Sequence, residues 1–383
     1  MIPTVDVLIP AYNAATTIRS AVESIQNQTL DDIVIHVVDD GSTDATGAIL
    51  NEMASSDSRL RVHRKTNGGI VEALNEGLRL CTAEFIARHD ADDLAYPSRL
   101  AVQVAYLRAH PEVVAVGAAV RHIDALGVPT GSFARLGSTD GADPFHVPSR
   151  EPYLIHPFLT VRRSAIEAVG GYRHVRYAED TDLYWRLREQ GELHNLPDLL
   201  GDYRLHDGSI SGGSIVNGRI MSIGSQLAAL SVRRRQQGLA DISFTKHRPT
   251  ANASASLAAM VDAASAGLDH DERAYLGEAA AAKLLELTSY RPFELDRDDC
   301  MFIGAVARRG FDHLSADNRA LQIRQVSGTA ARLAASGRFS DALKLLPTSL
   351  YPAFLARYLL RAALPDIVRR VLRRGGSEIT SIK

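Results

Sequence analysis

The chain has 383 residues, 45% hydrophobic and 23% charged: long enough for two domains, and too apolar for a disordered chain. Its formal net charge of −2 conceals an asymmetry, since residues 1–214 hold 19 Lys and Arg against 29 Asp and Glu (−10) while residues 215–383 hold 24 against 16 (+8). No apolar run approaches the ~18 residues that span a bilayer, no basic stretch leads the N-terminus, and Cys81 and Cys300 stand too far apart for a zinc or disulfide framework, so a cytoplasmic setting is expected.

Residues 5–10 (VDVLIP) read as a strand and 16–28 as a helix. Strands follow at 33–38, 60–63, 84–88 and 113–122, with helices at 44–55, 70–80 and 99–110 between them. Strands separated by helices of about ten residues imply βαβ crossovers and a mostly parallel, Rossmann-like sheet, whose ligands sit at the carboxyl ends of the strands. Residues 127–157, rich in Gly, Pro, Ser and Asp, read as a long surface loop; strands are expected at 159–162 and 199–205, with a helix at 181–190. Beyond residue 214 alanine becomes abundant and the alternation stops. Helical patterns at 218–237, 253–266, 272–287, 318–336 and 339–346 predict an all-helical second domain, 215–383, after an α/β domain, 1–214. No zinc-finger spacing, RNA-recognition signature or aromatic-basic pattern points to nucleic acid.

Three acidic clusters fall where strands end or helices begin. In Asp39-Asp40-Gly41-Ser42-Thr43-Asp44 the second strand runs into two carboxylates, which can accept hydrogen bonds from a base or ribose, or cap the next helix. Asp90-Ala91-Asp92-Asp93 follows the strand residues Phe85, Ile86 and Ala87; carboxylates two apart can face one hard cation, or make a polar turn. Glu179-Asp180-Thr181-Asp182 opens a helix, where acids complement the macrodipole or supply a general base. Asn67-Gly68-Gly69 precedes a helix and lets main-chain N–H groups approach a ligand. Arg204 can neutralise phosphate and His206 can join a metal shell.

In this order and spacing the segments resemble family 2 glycosyltransferases. The matching residues are Pro10-Ala11-Tyr12-Asn13, the 38–44 acidic turn, Asn67-Gly68-Gly69 with Ala73-Leu74-Asn75-Glu76-Gly77-Leu78, Asp90-Ala91-Asp92-Asp93, Gly170-Gly171-Tyr172, Ala178-Glu179-Asp180-Thr181-Asp182-Leu183 and Tyr203-Arg204-Leu205-His206. The resemblance covers residues 3–213 and implies a GT-A fold and inverting transfer from a nucleoside-diphosphate sugar, UDP being the commonest nucleotide of the family. It implies that Pro10 to Asn13 line the base pocket, that Asp39 and Asp40 contact base and ribose, and that Asn67 and Gly69 lie near the nucleotide. It places Asp90 and Ala91 at the ribose or metal-water shell, Asp92 and His206 on Mn²⁺ or Mg²⁺, and Arg204 at the diphosphate. Asp180 would be the base, with Glu179 beside it and His156 of the His-Pro pair in the acceptor cleft. His89 stands where an apolar residue is common, Gly69 replaces the residue many members carry, and no QxxRW motif follows, which separates the chain from processive synthases.

The acceptor expected is a glycan or a lipid-linked glycan of the cell envelope. Two rivals remain at this stage: a sugar nucleotidyltransferase, which would want a Gly-rich basic loop where this chain has PAYNAATTIRS, and a non-catalytic nucleotide- or glycan-binding module, against which Asp92, Asp180 and His206 speak. In the C-terminal stretch, Ile367, Val368, Val371 and Leu372 share one helical face and Arg369, Arg370, Arg373 and Arg374 the other, a pattern of a surface helix or of peripheral docking on an anionic membrane. The Ala-rich helices offer a surface for self-association or for the acceptor.

Overall fold

A computed structural model describes residues 2–205, 214–246, 256–309 and 314–363. His206 and the arginine-rich 364–374 lie outside the described residues. By internal contacts the chain divides into two units: Met1–Gly141, Pro152–His174 and Glu179–His206 form one, and Ala142–Glu151, Val175–Ala178 and the chain from Asp207 on form the other.

The first unit is built from β1 (Val5–Ala11), α1 (Ile18–Gln26), β2 (Ile33–Asp39), α2 (Thr46–Ser56), β3 (Leu60–Arg64), α3 (Ile70–Leu80), β4 (Phe85–Arg88), β5 (Leu94–Ala95), α4 (Arg99–Ala109), β6 (Val113–Ile123), β7 (Pro129–Ala134), β8 (Thr160–Arg162), α5 (Arg163–Ala168), α6 (Glu179–Leu187) and β9 (Glu192–Arg204). Among the described residues these strands make a nine-stranded sheet ordered β3-β2-β1-β4-β8-β6-β9-β5, with β7 hairpinned onto β6. The sheet is mixed rather than mostly parallel. β1, β2, β3 and β4 pair in parallel, as does β6 with β9, but β8 runs antiparallel to both β4 and β6, and β5 antiparallel to β9. Short β8 needs no crossover helix, so the βαβ reading does not reach it.

Two other expectations are corrected. The 127–157 loop contains β7, an exposed edge strand whose polar PTGSFA sequence lacks the apolar alternation of a core strand. The strand expected at 199–205 begins at Glu192. Pro197 hides its first half, and the β6–β9 register shifts between the pairs Ala118–Leu196 and Ala119–Leu199, which places the proline at an irregularity.

Period-two alternation sorts the core into two faces. Val5, Val7, Ile9, Phe85 and Ala87 pack with α1, α2 and α4; Leu8, Val38 and Ile86 pack with α3, α5 and α6. A Cβ on Gly77 of α3 would run into the Leu8 side chain, so α3 packs closely on β1 there and a larger residue would have to displace Leu8.

The second unit contains α7 (Ile215–Gln236), α8 (Leu257–Ala264), α9 (His270–Tyr290), α10 (Arg297–Arg308), α11 (Ala316–Ala335), α12 (Phe339–Leu345) and α13 (Tyr351–Ala363). Its core joins Leu227, Leu230, Leu276, Leu284, Ile303 and Val326 around the fully buried Ala279–Ala282 turn of α9. Val147, from the 142–151 segment, belongs to this core.

Candidate active site

The parallel register brings Ala11, Asp39 and Arg64 level at the carboxyl ends of β1, β2 and β3, and sets Arg88 beside Leu8 on β4. The acidic motifs after β2 and β4 therefore leave the sheet along one edge.

On the β1 side, Asp40 N donates to Ala11 O (2.8 Å). Asn13 adopts a left-handed φ of 50°, donates its N–H to Ser42 Oγ (2.9 Å) and accepts Thr43 N on Oδ1 (2.8 Å), tying the loops after β1 and β2 together. Pro10 and Ala11 are buried, whereas Tyr12 is 53% exposed and offers a ring for stacking. Asp39 accepts Ser42 N on Oδ1 (2.8 Å). Its buried Oδ2 has no hydrogen-bond partner among the described residues and stands 3.6 Å from Arg64 Nε. Asp40 does something else: Oδ1 accepts Lys65 Nζ (2.7 Å) and Gly68 N (2.9 Å), and Oδ2 accepts Gly69 N (2.8 Å). Of the two adjacent carboxylates, Asp40 shapes the turn that exposes Asn67 and Gly69, and Asp39 keeps one oxygen that is ion-paired to Arg64 but accepts no hydrogen bond among the described residues.

After β4, one oxygen each of Asp90, Asp92 and Asp93 lies within 4.8 Å of the others. Asp93 is buried; its Oδ1 accepts Arg204 N (2.8 Å), its Oδ2 has no hydrogen-bond partner among the described residues, and burial followed by the neighbouring carboxylates pushes its pKa well above the ordinary carboxylate range. Asp90 is also pushed up by burial, against the pull of its ion-pair partner Arg88. Three crowded carboxylates, one of which keeps a buried oxygen without a hydrogen-bond partner among the described residues, fit a divalent cation of the Mg²⁺ or Mn²⁺ type. Asp93, to which the sequence pattern assigns no separate role, joins the cluster as the third acid of the run. Ala91 is buried between the acids.

Arg204 departs from expectation. Its Nε donates to Asp92 O (2.8 Å) and its Nη1 to Asp124 O and Ala125 O (both 3.2 Å). These bonds clamp the acidic loop to the β6–β7 turn rather than aim the guanidinium at a diphosphate. His89 is likewise structural, buried with Nδ1 3.0 Å from Arg99 Nη1.

Glu179 and Asp180 form the first turn of α6. Burial and then the Asp180 charge push Glu179 up to about 8. Asp180 is raised by burial, opposed by the Thr181 N–H that its Oδ1 accepts (2.7 Å) and by the Arg88 charge. Asp182 is excluded from chemistry. It receives Arg173 Nε (3.0 Å) and Arg186 Nε (2.9 Å) on Oδ2, and Arg186 in turn holds Val169 O and Gly171 O.

His156 Nε2 lies 2.8 Å from the Tyr172 hydroxyl, its ring edge-on to Tyr184; burial and the Arg88 charge hold it well below the usual imidazole range, hence neutral. Asn75, from the ALNEGL motif, accepts Tyr172 N (2.9 Å) and donates to Tyr172 O (2.8 Å), fixing the Gly-Gly-Tyr turn against α3. A second cluster, Asp6, His36 and Cys81, is also close enough for a metal. Its atoms are bound to the protein instead: Asp6 accepts Thr82 N, Ala83 N and faces His36, while Cys81 donates to Gly77 O and burial pushes its thiol up.

The family model described as Glycosyl transferase family 2 matches residues 6–170. The chain is 34% identical over 213 residues to "Putative glycosyltransferase EpsE" of Bacillus subtilis, covering 54% of this chain and 74% of that protein. It is 32% identical over 219 residues to "Amylovoran biosynthesis glycosyltransferase AmsE" of Erwinia amylovora, covering 56% and 78%. Among solved structures, mannosyltransferase PcManGT from Pyrobaculum calidifontis, in complex with GDP-Man and Mn²⁺, superposes with a TM-score of 0.49 at 20% identity, covering 94% of this chain and 88% of that one.

Proposed function

The chain belongs to glycosyl transferase family 2, and on that premise we propose that it is a metal-dependent, inverting transferase moving a sugar from a nucleoside diphosphate to a hydroxyl of a glycan or lipid-linked acceptor. The observation that carries this reading is the convergence of Asp90, Asp92 and Asp93 within 4.8 Å at the carboxyl edge of the sheet. The Glu179–Asp180 pair stands within reach of the same Arg88 charge that Asp90 engages. The amylovoran role in the name of the Erwinia relative supports an envelope or exopolysaccharide acceptor.

Asp92, with Asp90, Asp93 and His206, would hold Mn²⁺ or Mg²⁺, which when bound supplies positive charge to the diphosphate leaving group. Pro10, Ala11, Tyr12, Asn13 and Asp39 Oδ2 receive the nucleoside, with UDP the first donor nucleotide to try. Asp40 holds the Asn67–Gly69 turn open toward it, and Arg204 holds the acidic loop in register. Asp180 takes the proton of the acceptor hydroxyl as that oxygen attacks the anomeric carbon. Glu179, protonated at neutral pH, is a donor that orients the acceptor beside Asp180, and neutral His156 lines the cleft. Peripheral contact with anionic lipid through the C-terminal basic stretch belongs to the same reading; truncation after Leu350 is expected to abolish liposome flotation.

Asp180→Asn keeps the shape and removes the base. Transfer is expected to fall about 10²–10⁴-fold with the thermal midpoint unchanged. A chelator should abolish turnover and added Mn²⁺ should restore it. A folded Asp180→Asn protein that keeps most of its rate, or a chelated wild type that does, makes the reading wrong.

A further inference from the structure

Arg88 was not read as a candidate from the sequence, and family membership alone gives it no task. It is the last residue of β4, and alternation turns it to the face of Ile86, where α3 and α6 pack. The residue is 6% exposed. Its main chain is bracketed, N donating to Leu159 O (2.8 Å) and O accepting Arg99 Nη2 (2.6 Å), so the side chain emerges from a fixed point. Nη2 engages the Asp90 carboxylate, while Nε and Nη1 are buried and have no hydrogen-bond partner among the described residues. A guanidinium stays protonated and can only donate, so these N–H groups call for oxygen acceptors. Burial makes leaving them unmatched unfavourable.

The surroundings say which oxygens. Arg88 is ion-paired to Asp90 of the acidic loop, and Tyr172, His156, Glu179 and Asp180 are all close enough to respond to its charge. In a displacement the diphosphate departs on the cation side and the acceptor hydroxyl arrives at the base. The group between them is the sugar in transit. Resting on the glycosyltransferase reading, we propose that Arg88 binds the transferred sugar itself, donating from Nε and Nη1 to its ring hydroxyls, and does not bind the nucleoside diphosphate. Asp90 neutralises the guanidinium locally, which suits an uncharged hydroxyl partner. The same contact joins the cation-side carboxylate to the sugar, so Arg88 registers the sugar relative to the leaving group.

The test uses the full chain with Mn²⁺ and compares UDP and GDP with UDP-glucose, UDP-GlcNAc and GDP-mannose, for wild type and Arg88→Gln. In the wild type the productive nucleotide-sugar is expected to gain affinity from its sugar. In Arg88→Gln that gain should vanish and kcat/KM should fall about 100-fold, the scale of a buried charge-assisted hydrogen bond, while affinity for the bare nucleoside diphosphate stays unchanged. Retained binding of UDP or GDP also shows that the variant folds; should Arg88→Gln not fold, Arg88→Lys, which keeps the charge and loses the fork, is measured the same way. Wild-type transfer in the variant overturns the inference, as does an equal loss of bare nucleotide affinity, which would mark Arg88 as a phosphate or scaffold residue. A wild-type chain that neither binds a nucleoside diphosphate nor turns over a nucleotide-sugar overturns the family-level reading as well; failure of the variant arm alone leaves that reading standing.

Discussion

Helices begin differently in the two units. In the α/β unit, α1, α2, α3 and α4 start at Thr17, Ala45, Gly69 and Ser98 with no side-chain cap. In the helical unit, α7, α8 and α11 are capped by Ser214, Ser256 and Ser315, and α9 and α10 by the reciprocal pairs Asp269/Glu272 and Asp296/Asp299. The first-turn N–H groups of a helix need partners from somewhere. In the α/β unit the acceptors come from outside the cap position, Asp44 Oδ1 taking Thr46 N (2.9 Å) at α2 and Gln28 Oε1 taking Leu100 N (3.0 Å) at α4, while Asn13 and Ser42 join two loops at the sheet edge and Asp40 holds a third. In the helical unit the cap is made by the N-cap residue itself in α7 to α11, though not in α12, which starts at Arg338 with no side-chain cap.

Buried charge divides by cluster rather than by unit. Lys283 Nζ sits 2.6 Å from Glu151 Oε2 and 3.2 Å from Glu286, and Gln226 donates to the other Glu151 oxygen (3.3 Å), a closed set. Arg219 is closed in the same way by Asp299 (2.9 and 3.0 Å). Among the described residues, Arg88, Asp39 and Asp93 each keep a buried polar atom with no hydrogen-bond partner, as do Arg233 and Lys344 of the helical unit. The largest expected effect breaks the closed set: Lys283→Met strands a buried carboxylate and should lower stability by about 3–5 kcal/mol, whereas Lys283→Met with Glu151→Leu should recover most of it. Urea denaturation measures both. Arg88→Gln should lose less, having fewer protein partners to forfeit, and the contrast fails if the two single substitutions are equally damaging.

The next effect sharpens the contrast at the helix starts. With Mn²⁺ and UDP or GDP at about 100 times Kd, the folded state should gain about 2.7 kcal/mol. Hydrogen-exchange protection should concentrate at the amides of residues 12–13, 40–43 and 67–69 and spare the starts of α7 to α11. Equal protection in both units would remove the distinction.

Much of this was legible in the chain. Runs such as VDVLIP and IVIHVV each ended in the polar residues that now line the edge, because a buried parallel strand must be apolar until it meets its ligand. The acidic run and the Glu-Asp pair were found for the same reason. The pairing of β8 was hidden because three residues carry no direction, and β9 because Pro197 interrupts its pattern. Spacing could not tell Asp39 from Asp40, since neighbouring residues leave a strand end toward different surroundings and their bonds alone separate positioning from binding. Nor could it see that Arg204 turns to main-chain carbonyls, or that Arg88, embedded in an apolar strand and reading as a flank, faces inward.

The smallest expected effect lies in a single cap. Asp269 accepts Glu272 N (2.9 Å) while Glu272 Oε2 accepts Asp269 N (3.1 Å), and Glu272 also receives Arg234 Nη1 at 2.6 Å. Asp269→Ala removes one exposed acceptor from a first-turn N–H and should lower stability by about 1 kcal/mol, read from the urea midpoint at constant m-value. Glu272→Ala removes its half of the box and the arginine's partner together, so its loss should be larger. Neither belongs to the site, so nucleoside diphosphate affinity should hold in both. If Asp269→Ala were neutral, local capping would not be what starts α9, and the difference drawn between the helix starts of the two units would rest on geometry without energetic consequence.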